Sequence, residues 1–211
     1  RRGLVHVARS RPDARFRRRL PGFNRPLVYV PLDFYTAAGQ IRDAKRRLRE
    51  CRSVIVSNDC LAAVLRPLAN VVTVDHHGLD VYEGPRAFTG TGSVLWVGVQ
   101  TYAPLLIAWY ERHRPDWPLV VLSNTGGRRL FHASELRHSD RVTVTKWTPE
   151  TAVRCGAQCE FAVDFKDDSF YQQTKPHTKP VQCVASGLPL ALSAGHPARA
   201  YLQRRFGLTV P

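Results

Sequence analysis

Apolar residues along the chain gather mostly in short unbroken runs, separated by stretches where apolar positions recur every three or four residues. Unbroken runs bounded by turn residues predict strands covered on both faces, and the three-to-four spacing predicts helices with one buried side. RRGLVHVARS predicts one short strand near the N-terminus. LVYVPLDF predicts a buried strand from Leu27 that ends at Asp33, and SVIVS and NVVTV predict two more, closing on Ser57 and at Val71 to Val74. Between them the pattern turns helical from about Gly39 to Cys51 and from Asp59 to Leu65. Strands alternating with helices make a parallel sheet.

Glycine, proline and threonine collect from Tyr82 to Gly92. A domain boundary is expected there, giving an N-terminal domain over 1–86 and a C-terminal domain over 87–211. The alternation then resumes. SVLWVG, PLVVLSN, RVTVTKW and EFAVDF predict four strands, with a helix from about Pro104 to Arg114 after the first and a helix start at Thr148-Pro149-Glu150 after the third. KDDSFYQQ reads as an acidic loop, LPLALS as a fifth strand, HPARAYLQRRFGL as a last helix and GLTVP as the start of another strand. The expected fold class is α/β, with two Rossmann-like parallel-sheet domains.

The densest chemistry lies between Tyr171 and Ser193. Thr178 offers an N-cap and Pro180 stands in the first turn, where its missing N–H costs nothing. Val181, Val184, Ala185 and Leu188 repeat at helical spacing, and Gly187 supplies a left-handed stop. Lys175 and Lys179 share a face if the first turn reaches back to them, and flank the opening otherwise. In both cases they surround N–H groups at the positive end of a helix dipole, an arrangement suited to phosphate or diphosphate. The plainer alternative is a pair of lysines on a solvated helix start. Lysine occurs only at Lys45, Lys146, Lys166, Lys175 and Lys179, in a chain that otherwise uses arginine, and this concentration favours a site.

The formal charge is +14, from 31 basic and 17 acidic residues, and predicts polyanionic company. The arginines are dispersed, apart from Arg1 to Arg19 and Arg42 to Arg52, and are not interleaved with aromatics. That pattern disfavours nucleic acid and better fits peripheral contact of Arg42 to Arg52 with an anionic membrane. No apolar run approaches the roughly 20 residues that span a bilayer, and no apolar core follows the arginine-rich start, so a cytoplasmic protein is expected. Cys155 and Cys159 form a C-x3-C pair with no second pair at metal spacing, and structural thiols are expected of all five cysteines. His76 and His77 lack a third ligand at suitable spacing, which argues against a metal site and leaves a polar linker pair as the alternative. Asp167 and Asp168 look like a carboxylate pair in a solvated loop, and Trp147 is expected to pack more than to stack. Methionine is absent even at position 1, as in a fragment.

Lys175-Pro176-His177-Thr178-Lys179, followed by Gln182, Ala185, Gly187 and Pro189, resembles the K-P-x-x-K-x-x-E-x-x-A-x-G-x-P segment of GT-B glycosyltransferases. The likeness is strongest to the family-4-like bacterial enzymes that build cell-surface polysaccharides. His77, Gly78 and Asp80 match the P-H-G-V-D segment that joins the two domains of those enzymes. The acidic pair that frames the first segment in many members is replaced here by Thr174 and Gln182. The resemblance covers about residues 27–211. It implies two Rossmann-like domains facing a cleft, the N-terminal one incomplete or reduced. It also implies transfer of a sugar from a nucleotide-diphosphate donor to a hydroxyl of a saccharide or lipid-linked acceptor, with retention of configuration.

On that likeness Lys175 and Lys179 stabilise the leaving diphosphate, and Asp33 and His77 are acceptor-side or base candidates. Gly98 gives the donor phosphates close backbone approach, Lys146 and Trp147 flank the nucleobase turn, and Thr174, Thr178 and Gln182 complete the donor-binding set. The nucleotide sugar is substrate, and neither cofactor nor metal is expected. Two alternatives stay open: a non-catalytic basic module that binds polyanions such as RNA or an anionic membrane, and a degenerate transferase that binds nucleotide without turnover.

Overall fold

The structure is a computed structural model that describes residues 6–8, 27–31, 35–75, 92–113, 115–124 and 139–211. The chain divides into two compact units, Arg1–His76 with Asp167–His177, and His77–Lys166 with Thr178–Pro211. Asp33, His77, Gly78 and Asp80 lie outside the described residues.

In the first unit, β1 (His6–Ala8) and β2 (Leu27–Tyr29) are followed by α1 (Ala38–Asp43), α2 (Lys45–Arg49), β3 (Ser53–Val56), α3 (Asp59–Leu65) and β4 (Val71–Thr73). Its sheet is all parallel, in the order β1-β2-β3-β4. Tyr29, Ile41, Leu48, Val54 and Leu65 are buried together. β2 is shorter than its apolar run because Pro31 has no N–H to continue the ladder. The single helix expected to Cys51 is two short ones. Ala44 joins them, its N–H shared between the carbonyls of Gln40 at 3.2 Å and Ile41 at 3.1 Å, a local tightening that keeps Ile41 and Leu48 on the core side. Asn58 caps α3, its Oδ1 accepting the Leu61 N–H at 3.1 Å.

The second unit opens with β5 (Ser93–Val99), a short 3-10 turn (Gln100–Tyr102) and α4 (Ala103–His113), then β6 (Leu119–Asn124), β7 (Val142–Lys146), α5 (Pro149–Gln158) and β8 (Cys159–Asp164). The chain then contributes Asp167–His177 to the first unit, including α6 (Phe170–Gln173), where an acidic loop was expected. Ser169 caps that turn of helix, and the Asp167 carboxylate accepts the Ser169 N–H at 2.9 Å. The second unit resumes with α7 (Thr178–Ala185), β9 (Leu190–Leu192) and α8 (Ala198–Phe206).

The second sheet is also all parallel, in the order β7-β6-β5-β8-β9. It is buried on both faces, which explains why β5 reads as a continuous apolar run. Leu95 packs with Leu122, Leu188 and Leu202 on one face, and Trp96 with Leu106, Tyr110 and Val121 on the other. Each leucine fully withdrawn from water contributes about 1.5–3 kcal/mol. Thr178 is the first residue of α7, so Pro180 still falls in the first turn. Gly187 ends that helix with φ of 66°, and the Leu188 N–H returns to the Cys183 carbonyl at 2.9 Å.

The strand expected at GLTVP does not form. Gly207 caps α8 with φ of 68°, and the tail makes one bond to β9, from Leu192 N–H to the Pro211 carbonyl at 3.0 Å. Proline cannot return a donor to the ladder, and Val210 is held by burial instead.

Candidate functional site

In a doubly wound parallel sheet, a crevice opens at the carboxyl ends of the two strands where the winding reverses. Here those strands are β5, which leads on to β6 and β7 on one side, and β8, which leads to β9 on the other. The start of α7 lies at that point. Val97 near the end of β5, Asp164 at the end of β8, and Lys179, Pro180 and Cys183 of α7 line one small pocket. The Lys179 ammonium donates to the Val97 carbonyl at 2.6 Å and stands 5.8 Å from the ring centroid of the buried Trp96.

Asp164 is 6% exposed at the end of β8, directly after the apolar run Phe161, Ala162 and Val163. Its Oδ2 lies 3.1 Å from His196 Nε2. His196, 3% exposed, accepts the Ala198 N–H on Nδ1 at 3.0 Å, so the ring proton sits on Nε2 and is donated to the carboxylate. Burial opposes ionisation of Asp164, but the His196 hydrogen bond and the charges of Lys179 and Lys166 outweigh it and hold the carboxyl at about 2. The Cys183 thiol is pushed the other way, to about 12, by burial and then by the Asp164 charge. At neutral pH the crevice therefore holds one fixed anion, one cation and an un-ionised thiol. Ser193 joins the ends of β8 and β9, its hydroxyl accepting from Lys166 N–H and donating to the Lys166 carbonyl, both at 3.0 Å.

The other candidates are distributed as follows. Gly98 lies within β5, and the space where a Cβ would point is filled by the Trp96 indole. Lys146 ends β7 with its side chain exposed. Trp147 follows it, 36% exposed, and its backbone N–H donates to the Ser123 carbonyl at 2.8 Å. Thr178 and Gln182 are half-buried, one turn apart on α7. Thr174 and Lys175 belong to the first unit. Thr174 ends α6, its hydroxyl donating to the Phe170 carbonyl at 2.8 Å, and the Lys175 ammonium stands 4.4 Å from the Tyr171 ring centroid. Buried Asn58 donates to the Lys175 carbonyl at 2.9 Å and lies 3.4 Å from His177 Nε2.

Sequence reasoning passed over Asp164, His196 and Asn58. The available signal for Asp164 was a carboxylate closing the apolar run Phe161 to Val163, which needs a partner when buried.

No protein-family model and no curated protein sequence matches the chain. Among solved structures, a sucrose-phosphate synthase from Thermosynechococcus elongatus is similar with a TM-score of 0.63 at 15% identity, over 89% of this chain and 54% of that protein. The chain thus spans about half the length of that structure. A glycosylation-associated protein complex from Streptococcus agalactiae matches with a TM-score of 0.45 at 14% identity, over 80% of this chain and 38% of that one. The first likeness shows the fold, two Rossmann-like α/β units of GT-B type.

Proposed function

We propose that the chain takes part in glycosyl transfer from a nucleotide-diphosphate sugar to a hydroxyl of a saccharide or lipid-linked acceptor. One observation carries this reading: the Lys179 ammonium is held on the Val97 carbonyl in the crevice between β5 and β8, where such sheets receive phosphorylated ligands. Negative charge grows on the diphosphate as the glycosidic bond breaks. A pre-placed ammonium and the positive end of the α7 dipole stabilise that charge where it develops. Lys175 is the second cation, Thr174, Thr178 and Gln182 serve the sugar and ribose hydroxyls, and Lys146 and Trp147 border the base. Gly98, Asp33 and His77 keep the roles that the family-4 likeness implies, with 1–86 on the acceptor side, 87–211 on the donor side, and retention at the anomeric carbon. The place of action is the cytoplasmic face of a membrane in cell-surface polysaccharide synthesis. Among the described residues no helix is long and apolar enough to cross a membrane.

Incubation with UDP- and GDP-linked hexoses, with release of the free nucleoside diphosphate followed by chromatography, tests turnover. Release that depends on Lys179 supports transfer; binding without release leaves the degenerate transferase. The net charge of +14, with Arg42, Lys45, Arg46 and Arg49 exposed on α1 and α2, favours a second reading as a polyanion-binding module. Sequence-independent RNA or anionic-vesicle binding that falls steeply with salt would mark it.

A further inference from the structure

Asp164 puts an unexplained negative charge next to the cation on which the proposed function depends. The carboxylate is buried, and such a group persists only with a hydrogen bond and a counter-charge. His196 supplies the hydrogen bond: its Nδ1 is occupied by the Ala198 N–H, so Nε2 donates to Asp164. The counter-charge comes from lysines whose field reaches the carboxylate, Lys179 and Lys166. Of these, Lys179 lines the same pocket as Asp164.

We infer that Asp164 is a positioning residue for Lys179: its carboxylate, fixed by His196 Nε2–H, holds the ammonium beside the Val97 carbonyl at the crevice mouth, where the donor diphosphate is met. This rests on the crevice being a diphosphate site. Asp164 itself does not touch the phosphates. Removing its charge has two opposing effects, since placement of Lys179 is lost and repulsion of the incoming anion is relieved. For Asp164 to act as proposed, placement must be the larger effect.

The test uses the full chain and Asp164→Asn, which keeps an oxygen for His196 and removes the charge; Asp164→Ser serves if circular dichroism shows the first variant unfolded. Trace acetylation by acetic anhydride without ligand, read lysine by lysine by peptide mass spectrometry, reports the ammonium directly. The expected result is a rise of roughly tenfold in Lys179 labelling as the ammonium loses its counter-charge, with Lys45 and Lys146 unchanged. Unchanged Lys179 labelling overturns the inference. Inorganic pyrophosphate is then titrated into wild type, Asp164→Asn, Lys179→Ala and the double variant. Weakening by Asp164→Asn that vanishes in the Lys179→Ala background shows action through Lys179, whereas equal weakening in both backgrounds shows a merely structural role and overturns it. If pyrophosphate fails to bind the wild type, the functional reading falls, and the labelling still decides whether Asp164 places Lys179.

Discussion

The indole of Trp96 lies over the α-carbon of Gly98, two residues along β5 on the same face, so that a Cβ at Gly98 would run into the ring. The glycine is thus required by the protein's own packing, whatever else approaches it. Trp96 is 2% exposed and its surroundings are close-packed, so it has nowhere to retreat. Gly98→Ala is expected to cost about 1–3 kcal/mol, the range for an overpacked core. Urea unfolding followed by tryptophan fluorescence measures it.

Asp164 links stability to acid. Its folded value of about 2 lies below the ordinary 3.8, so its contribution is complete above about pH 4 and is lost as pH falls through 2. The difference amounts to about 2 kcal/mol. Denaturant melts between pH 5 and 2, spanning about those limits, should show that loss in the wild type and a much flatter profile in Asp164→Asn. His196→Ala, which leaves the carboxylate buried without its donor, should cost about 1.5–3 kcal/mol at neutral pH.

Asn58 serves two segments. Its Oδ1 caps α3 through the Leu61 amide, while its Nδ2 bonds the Lys175 carbonyl. Asn58→Ala is expected to cost about 2 kcal/mol, a cap plus a buried hydrogen bond. Hydrogen exchange should speed up at Leu61, which loses its acceptor, and α3 should fray from its start.

None of the five cysteines is in a disulfide, and only Cys60 is exposed. Burial raises the Cys155 thiol and raises Cys183 further, so both stay protonated at neutral pH. Titration of the native protein with a disulfide reagent should show one fast thiol, at Cys60, with the rest reacting only after unfolding.

Much of the architecture was legible in the chain. Runs such as LVVL and SVLWV are apolar without alternation because both faces of the second sheet are covered, and Gly187 announced the left-handed end of α7. The break at Ala44 and the four-residue α6 were not, since a shared hydrogen bond and a single capped turn leave no periodicity to read. At the candidate site, Lys179 stood out by its spacing. Asp164 and His196 did not, because they are 32 residues apart, one at a strand end and the other in a turn. Asn58 and Lys175 are 117 apart, and no local pattern encodes such a pairing.

Titration calorimetry with UDP and GDP, comparing wild type with Lys179→Ala, tests the central claim most directly, that Lys179 makes the crevice of the second unit a nucleoside-diphosphate site. Binding in the micromolar range is expected for one of the two nucleotides. Loss of the ammonium should weaken it by about 1.5–3 kcal/mol, ten- to a hundredfold. Equal affinity for wild type and Lys179→Ala, or no binding of either nucleotide, would contradict it.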